Sequence, residues 1–231
     1  MMTAEVLLQV WERGARCHPA ERSVHLLAFA RSVEDPGGVE DIELPQRDWY
    51  LLKLRQQWFG SAMAGCADCP ACGERMEIEL DASAIAGSKP HDATPFVTRQ
   101  GRRFRMPTVG DLVAVAHVGN ADVATHQLLE RCSLDTGIDG DLHAVAAEVD
   151  AGLQAMAEER GIYLQLTCTE CGRPSRHALE PAEFLWIEVV TAAAALLEEV
   201  HAIASAYGWA ERDILAMTPQ RRHAYLARAT A

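Results

Sequence analysis

Two Cys-x-x-Cys-Gly segments, Cys69-Pro70-Ala71-Cys72-Gly73 and Cys168-Thr169-Glu170-Cys171-Gly172, constrain this chain more than any other feature. Each pair can present two thiolates to one metal ion. Two pairs together complete the tetrahedral sulfur shell that Zn²⁺ prefers in closed structural sites. The glycine after each second cysteine lets the backbone turn under the metal with positive φ. A shared ion would join two points 99 positions apart. The spacing therefore predicts a metal-stapled scaffold with Cys69, Cys72, Cys168 and Cys171 as ligands of a structural Zn²⁺. The competing reading is two unrelated pairs, of which a thioredoxin-like redox motif is one version. That motif needs a helix N-terminus after a buried strand to lower the first thiol's pKa. Glycine directly after each pair suits a knuckle turn better than a continuing helix. Cys66, three residues before Cys69, could stand in as a ligand, but the match between the two segments favours Cys69 and Cys72. Cys17 and Cys132 read as ordinary small core residues.

The chain has 231 residues, enough for a core that does not depend on the metal for its bulk. Seven cysteines, an odd number in paired spacing, fit metal binding in a reducing compartment better than a disulfide framework. Glu5, Glu12 and Arg13 interrupt the first apolar stretch, which argues against a secretory signal. The most apolar run, Val189 to Leu197, is too short to span a bilayer and is flanked by Glu188 and Glu198. A cytoplasmic protein with no membrane insertion is expected. The formal net charge of -12 disfavours nucleic acid as a partner, because phosphate-driven binding needs basic surface. Arg99, Arg102, Arg103 and Arg105 form the one local basic strip, and they read first as a hairpin edge guarded by charge.

Periodicity predicts an α+β fold, mainly helical: a multi-helix body, a small four-cysteine zinc-ribbon-like β module formed by the two knuckles, and a long C-terminal helix followed by two short ones. The organisation reads as N-terminal helices over 1–60, the first knuckle and a β-hairpin over 61–106, a helical insert over 107–160, the second knuckle over 161–180, and the long helix with its tail over 181–231. These parts read as one intertwined domain. Helices are expected over 3–13, from Pro19, and from Leu44-Pro45 to a stop at Gly60, with a break at Asp35-Pro36-Gly37-Gly38. Met76 to Leu80 and Ile162 to Leu166 read as strands, and Phe96 to Arg105 as a hairpin turning at Gln100-Gly101. Thr108 is an expected N-cap, and helices are predicted over 121–132 and 141–159. The long helix runs from Pro181 to about Ala206 with Trp186, Val189, Val190, Ala193, Leu196, Leu197, Val200 and Ile203 on its apolar face.

Leu80-Asp81-Ala82 and Leu179-Glu180-Pro181 lie at the same distance behind their knuckles, a faint repeat that suggests two related half-ribbons facing one metal. Chance similarity over so few positions competes with that reading. None of the nine histidines forms a metal-binding pair, and His18, His25, His117, His126, His143, His201 and His223 fall within or beside helices as surface or core residues. No Gly-rich phosphate loop, nucleophile elbow or spaced carboxylate pair stands out, so neither catalysis nor a small-molecule substrate is expected. Trp11, Trp49, Trp58, Trp186 and Trp209 read as core, and Trp209 also as a candidate for a partner interface. The short helices after Gly208 must dock on the body or on another subunit.

Several segments together carry a resemblance. They are Trp11-Glu12-Arg13-Gly14, Leu44-Pro45 with Arg47-Asp48 and Leu51-Leu52, and the first Cys-Pro-Ala-Cys-Gly. They continue with Phe104-Arg105-Met106-Pro107-Thr108 and Asp111-Leu112, the second knuckle, Phe184-Leu185-Trp186, and the Tyr207-Gly208-Trp209 to Arg221-Arg222 tail. Over nearly the full length this pattern resembles the baseplate proteins of contractile tails, including relatives of T-even phage baseplate hub subunits and similar proteins of phage-derived contractile injection systems. Thr169 stands where a proline would match the first knuckle. The resemblance implies a non-enzymatic structural or assembly role in a phage-like particle, with other baseplate, hub or spike proteins as partners. The alternative function is a zinc-ribbon nucleic-acid-binding or transcription-associated factor.

Overall fold

The structure, a computed structural model, describes residues 2–30, 38–87, 89–91, 94–135 and 142–229, the side chains of 142–145 excepted. It is mainly helical with small two-stranded sheets. Helices α1 (Ala4–Gly14), α2 (Pro19–Ala30) and α3 (Leu44–Phe59) open the chain. A hairpin of β1 (Ala62–Asp68) and β2 (Arg75–Asp81) leads into α4 (Ala82–Ala86). Then come β3 (Phe96–Val97), β4 (Arg103–Phe104), α5 (Val109–Val115), α6 (Ala121–Cys132) and α7 (Leu142–Arg160). A second long hairpin, β5 (Tyr163–Thr167) and β6 (Pro174–Ala178), precedes α8 (Pro181–Tyr207), α9 (Glu211–Leu215) and α10 (Pro219–Ala229). Of the expected break at 35–38, residues 35–37 lie outside the described residues, as does residue 141 at the expected start of α7.

Local chemistry explains where the helices begin and stop. Thr3 caps α1 through the amide of Val6, and Pro45 occupies the first turn of α3 where no amide partner is needed. Gly60 closes α3 with φ +86°, a conformation that suits glycine. Thr108 and Asp111 form a reciprocal capping box at α5.

The chain divides into two compact units. One comprises Met1–Cys17 with Glu183–Ala231. Its buried residues include Leu7, Leu8 and Val10 of α1, Leu185, Trp186, Val189, Ala193 and Leu196 of α8, and Ile214 of α9. Gly14 lies directly against the Trp186 ring. Val190, expected on the apolar face of the long helix, is exposed, and Leu197 is only half-buried. The tail packs within this unit: Tyr207 stacks on Trp209 at 4.8 Å, and both rings meet Tyr225.

The other unit is His18–Ala182. Leu26, Leu27, Leu51, Leu52 and Leu54 are buried from α2 and α3. A cluster of Phe104, Leu129, Cys132 and Val149 ties β4 to α6 and α7, so Cys132 is the core residue its sequence suggested. Among the described residues, the three two-stranded sheets all lie in this unit and are antiparallel. Two strands lacked a clear sequence signal. β1 is made largely of small residues with little β-propensity, and β6 begins with a proline.

Candidate metal centre

The two knuckles are the turns of two hairpins with one geometry. In the first, β1 and β2 pair Met63 with Leu80 and Ala67 with Met76. The amide of Cys69 donates to the Glu74 carbonyl and that of Gly73 to the Cys69 carbonyl. In the second, the amide of Cys168 donates to the Arg173 carbonyl and that of Gly172 to the Cys168 carbonyl. Shifted by 99 positions, the bonds coincide. The strand register follows the same shift: Leu166 faces Ser175 as Ala67 faces Met76. Gly73 and Gly172 adopt φ +76° and +67°, as a turn beneath a metal requires. The helices that follow, α4 and α8, start at equivalent positions. The repeat that was faint in sequence is therefore a repeat of backbone structure.

The hairpins bring four sulfurs together. Sγ of Cys69 lies 3.7 Å from that of Cys171, and Sγ of Cys72 lies 3.7 Å from that of Cys168. All four ligand atoms are within 4.8 Å of one another. A disulfide would need about 2 Å, whereas sulfurs at the corners of a tetrahedron with metal–sulfur bonds of about 2.3 Å stand about 3.8 Å apart. The first cysteine of each pair is buried and the second exposed. Met76, with Ala67 and Leu166, packs around the buried pair. The cluster can hold a metal ion with the four residues named from sequence.

Backbone amides aim at the sulfurs in matching ways. Cys69 accepts from the amides of Ala71 and Cys72, and these donors, the first above all, hold its thiol down to about 7. Cys72 accepts from the amide of Glu74, as Cys171 does from that of Arg173. At Cys72 that amide lowers the pKa, but the partial loss of water around the clustered sulfur and the three neighbouring thiols outweigh it and push the group up to about 12. The Arg173 amide likewise loses to burial and to the Cys69 and Cys168 thiols, and Cys171 is raised. The Cys69 thiol thus gives up its proton readily, whereas those of Cys72 and Cys171 resist ionisation. A divalent cation at the centre of the cluster removes that resistance. The amide donors were not singled out in sequence. For Glu74 and Arg173 the signal is positional, since each lies two residues beyond the second cysteine of its knuckle.

The remaining candidates fall elsewhere. Cys66 points away from the cluster and accepts from Arg75 Nη2 at 2.7 Å. Cys17 donates to the Arg13 carbonyl at 3.0 Å. His117 meets Glu21 at 3.0 Å, His126 meets Glu130 at 3.1 Å, and His223 meets Glu199 at 3.2 Å, all as surface pairs. The side chain of His143 is not among those described. Three of the four hairpin arginines lie near carboxylates: Arg103 makes a two-pronged contact with Asp135, Arg105 does so with Asp111, and the exposed Arg99 lies 4.0 Å from Glu148. Asp111 is buried and also receives Arg131 Nε at 2.9 Å. Burial works against its charge, but the bonds from Arg105 and Thr108 prevail and keep its carboxyl below the usual range.

Among the described residues, no helix is long and apolar enough to cross a membrane. No protein-family model, curated protein or solved structure matches the chain.

Proposed function

We propose that the protein is a non-enzymatic structural or assembly component of a contractile, phage-like tail or injection-system baseplate, stapled by a structural Zn²⁺ and acting through contacts with other baseplate, hub or spike proteins. The observation that carries the metal half is the four-sulfur cluster built by two equivalent hairpins. Four thiolates around one ion leave no ligand position for substrate, which is the pattern of a structural zinc site and not of a catalytic one. Soft thiolate ligands in tetrahedral spacing favour zinc over the hard divalent cations. The module is zinc-ribbon-like in that sense. The baseplate half rests on the sequence resemblance, from the Trp11 segment through both knuckles to the Arg221-Arg222 tail.

A structural ion can contribute on the order of 10 kcal/mol where its site exists only in the folded state. It would hold rigid a surface on which partners dock. The rival reading, a nucleic-acid-binding zinc ribbon, draws little support from the hairpin arginines, because Arg103 and Arg105 are held in close ion pairs with Asp135 and Asp111.

Two measurements test the proposal. Cys168→Ser should lose bound zinc by elemental analysis and melt at a lower temperature; unchanged metal content and melting would remove the staple. Deleting the gene in its native host should abolish sheathed particles seen by electron microscopy, with restoration by the wild-type gene. An unchanged particle count would overturn the assembly role.

A further inference from the structure

We infer that the exposed side of α8 between Ile187 and Ala195 is a docking surface for an amphipathic helix of another protein, one whose apolar face is rimmed by lysine or arginine. The inference rests on the reading of the chain as an assembly protein, and it names the kind of partner.

Helix α8 has 27 residues and buries one side through Leu185, Trp186, Val189, Ala193 and Leu196. The opposite side is not the polar face that such a helix usually turns to water. Ile187 is 56% exposed and Val190 36%, and Thr191, Ala194 and Ala195 continue the same stripe at helical spacing. Thr191 adds little polarity, because its hydroxyl donates to the Ile187 carbonyl at 2.8 Å. Ile187 and Val190 form a ridge. Beside it Thr191, Ala194 and Ala195 are small enough to let another backbone approach closely. The stripe spans about 12 Å of helix axis, which suits one crossing helix.

Charge selects the occupant. Exposed Glu183 and Glu198 close the stripe at its two ends, about 22 Å apart along the axis. Helix α8 contains no lysine or arginine. A second copy of this chain is a poor fit. Antiparallel self-pairing centred between Val190 and Thr191 sets Glu183 against Glu198 of the other copy at both ends. Parallel pairing sets each glutamate against its own counterpart. Either juxtaposes like charges on a chain that already carries -12. A helix with cations at both ends of an apolar face meets both glutamates and covers the stripe.

The test uses the full chain and two labelled synthetic helical peptides with the same Leu/Ile/Ala face. One carries lysines 15 positions apart at the rim and the other glutamates there. Fluorescence anisotropy should show the lysine peptide binding about tenfold tighter or more. Ile187→Glu with Val190→Glu should remove that binding while circular dichroism and metal content stay unchanged. Glu183→Gln with Glu198→Gln should shrink the preference between peptides severalfold. Equal affinity of the wild type for both peptides overturns the proposal, as does binding that survives Ile187→Glu with Val190→Glu. A wild-type dimer in sedimentation that this same double variant dissolves would assign the face to a second copy and also overturn it. Particle counts in the native host separate the two ideas. Counts lost on deletion but kept in the double variant overturn the docking surface and leave the assembly role standing. If deletion itself changes nothing, the assembly role falls, and the peptide result alone decides the surface.

Discussion

A methyl group at Gly14 would lie 2.5 Å from Cη2 and Cζ3 of Trp186, closer than packed atoms approach. The indole is buried and cannot swing away cheaply. Gly14→Ala should therefore lower stability by about 1–3 kcal/mol in a denaturant titration; an unchanged midpoint would show that the ring yields. Asp48 makes a different kind of demand. Burial, partly offset by the adjacent Arg47 guanidinium and reinforced by Glu180, pushes its carboxyl up to about 6. In the unfolded chain it titrates near 4. Between those values the folded state keeps a proton that the unfolded state has released, so stability falls as pH rises through that window and levels off above it. Asp48→Asn removes the titration and keeps an acceptor for Arg47. The stability difference between variant and wild type should grow in the variant's favour from pH 4 to about 6.5, by on the order of 2–3 kcal/mol. Parallel pH curves for the two proteins would contradict this.

At the scale of elements, the two knuckle hairpins show how one backbone design is reached by unlike sequences. β2 alternates cleanly in Met76-Glu77-Ile78-Glu79-Leu80, whereas β6 is Pro174-Ser-Arg-His-Ala. What they share is the cysteine spacing, the glycine and the turn hydrogen bonds, and these fix the register. The C-terminal helices depend on a polar clamp as well as on the Tyr207–Trp209–Tyr225 stack. Arg222 is buried and donates from Nε to Glu199 and from Nη1 to the Met217 carbonyl, each at 2.9 Å. Arg222→Ala leaves both acceptors short of a partner. It should cost about 1–3 kcal/mol and expose 209–229 to limited proteolysis before the rest of the chain; a digestion pattern like the wild type's would place the tail's anchorage in the aromatic stack alone.

For the whole molecule, the cysteine cluster closes a loop that runs from the first knuckle to the second and contains α4 through α7. Cys72 and Cys171 resist ionisation without a cation, and a bound metal must displace their protons, so apparent metal affinity should rise with pH. Stripping metal with a chelator should raise amide exchange in 62–81 and 163–178 together, because each hairpin supplies half of one shell. Exchange in α8 should respond less, as its protection rests on Leu185, Val189, Ala193 and Ile203, all fully buried. Loss of protection in one hairpin alone would mean that the two do not share an ion.

The amino-acid sequence by itself determined the helices, the knuckle turns and the identity of the clustered cysteines. Each is a local matter: a proline in the first turn at Pro45, a capping Thr108, a glycine at positive φ, two thiols three residues apart. It also carried the 99-residue spacing of the repeat, though not enough shared side chains to make β1 and β6 legible as strands. Only the tertiary structure decided that all four sulfurs converge, that Cys66 turns to Arg75, and that two of the hairpin arginines, Arg103 and Arg105, are matched by Asp135 and Asp111. It also put Val190 on the outside of a helix that is apolar nearly all round. Periodicity cannot choose between two apolar faces; that choice belongs to whatever packs against one of them.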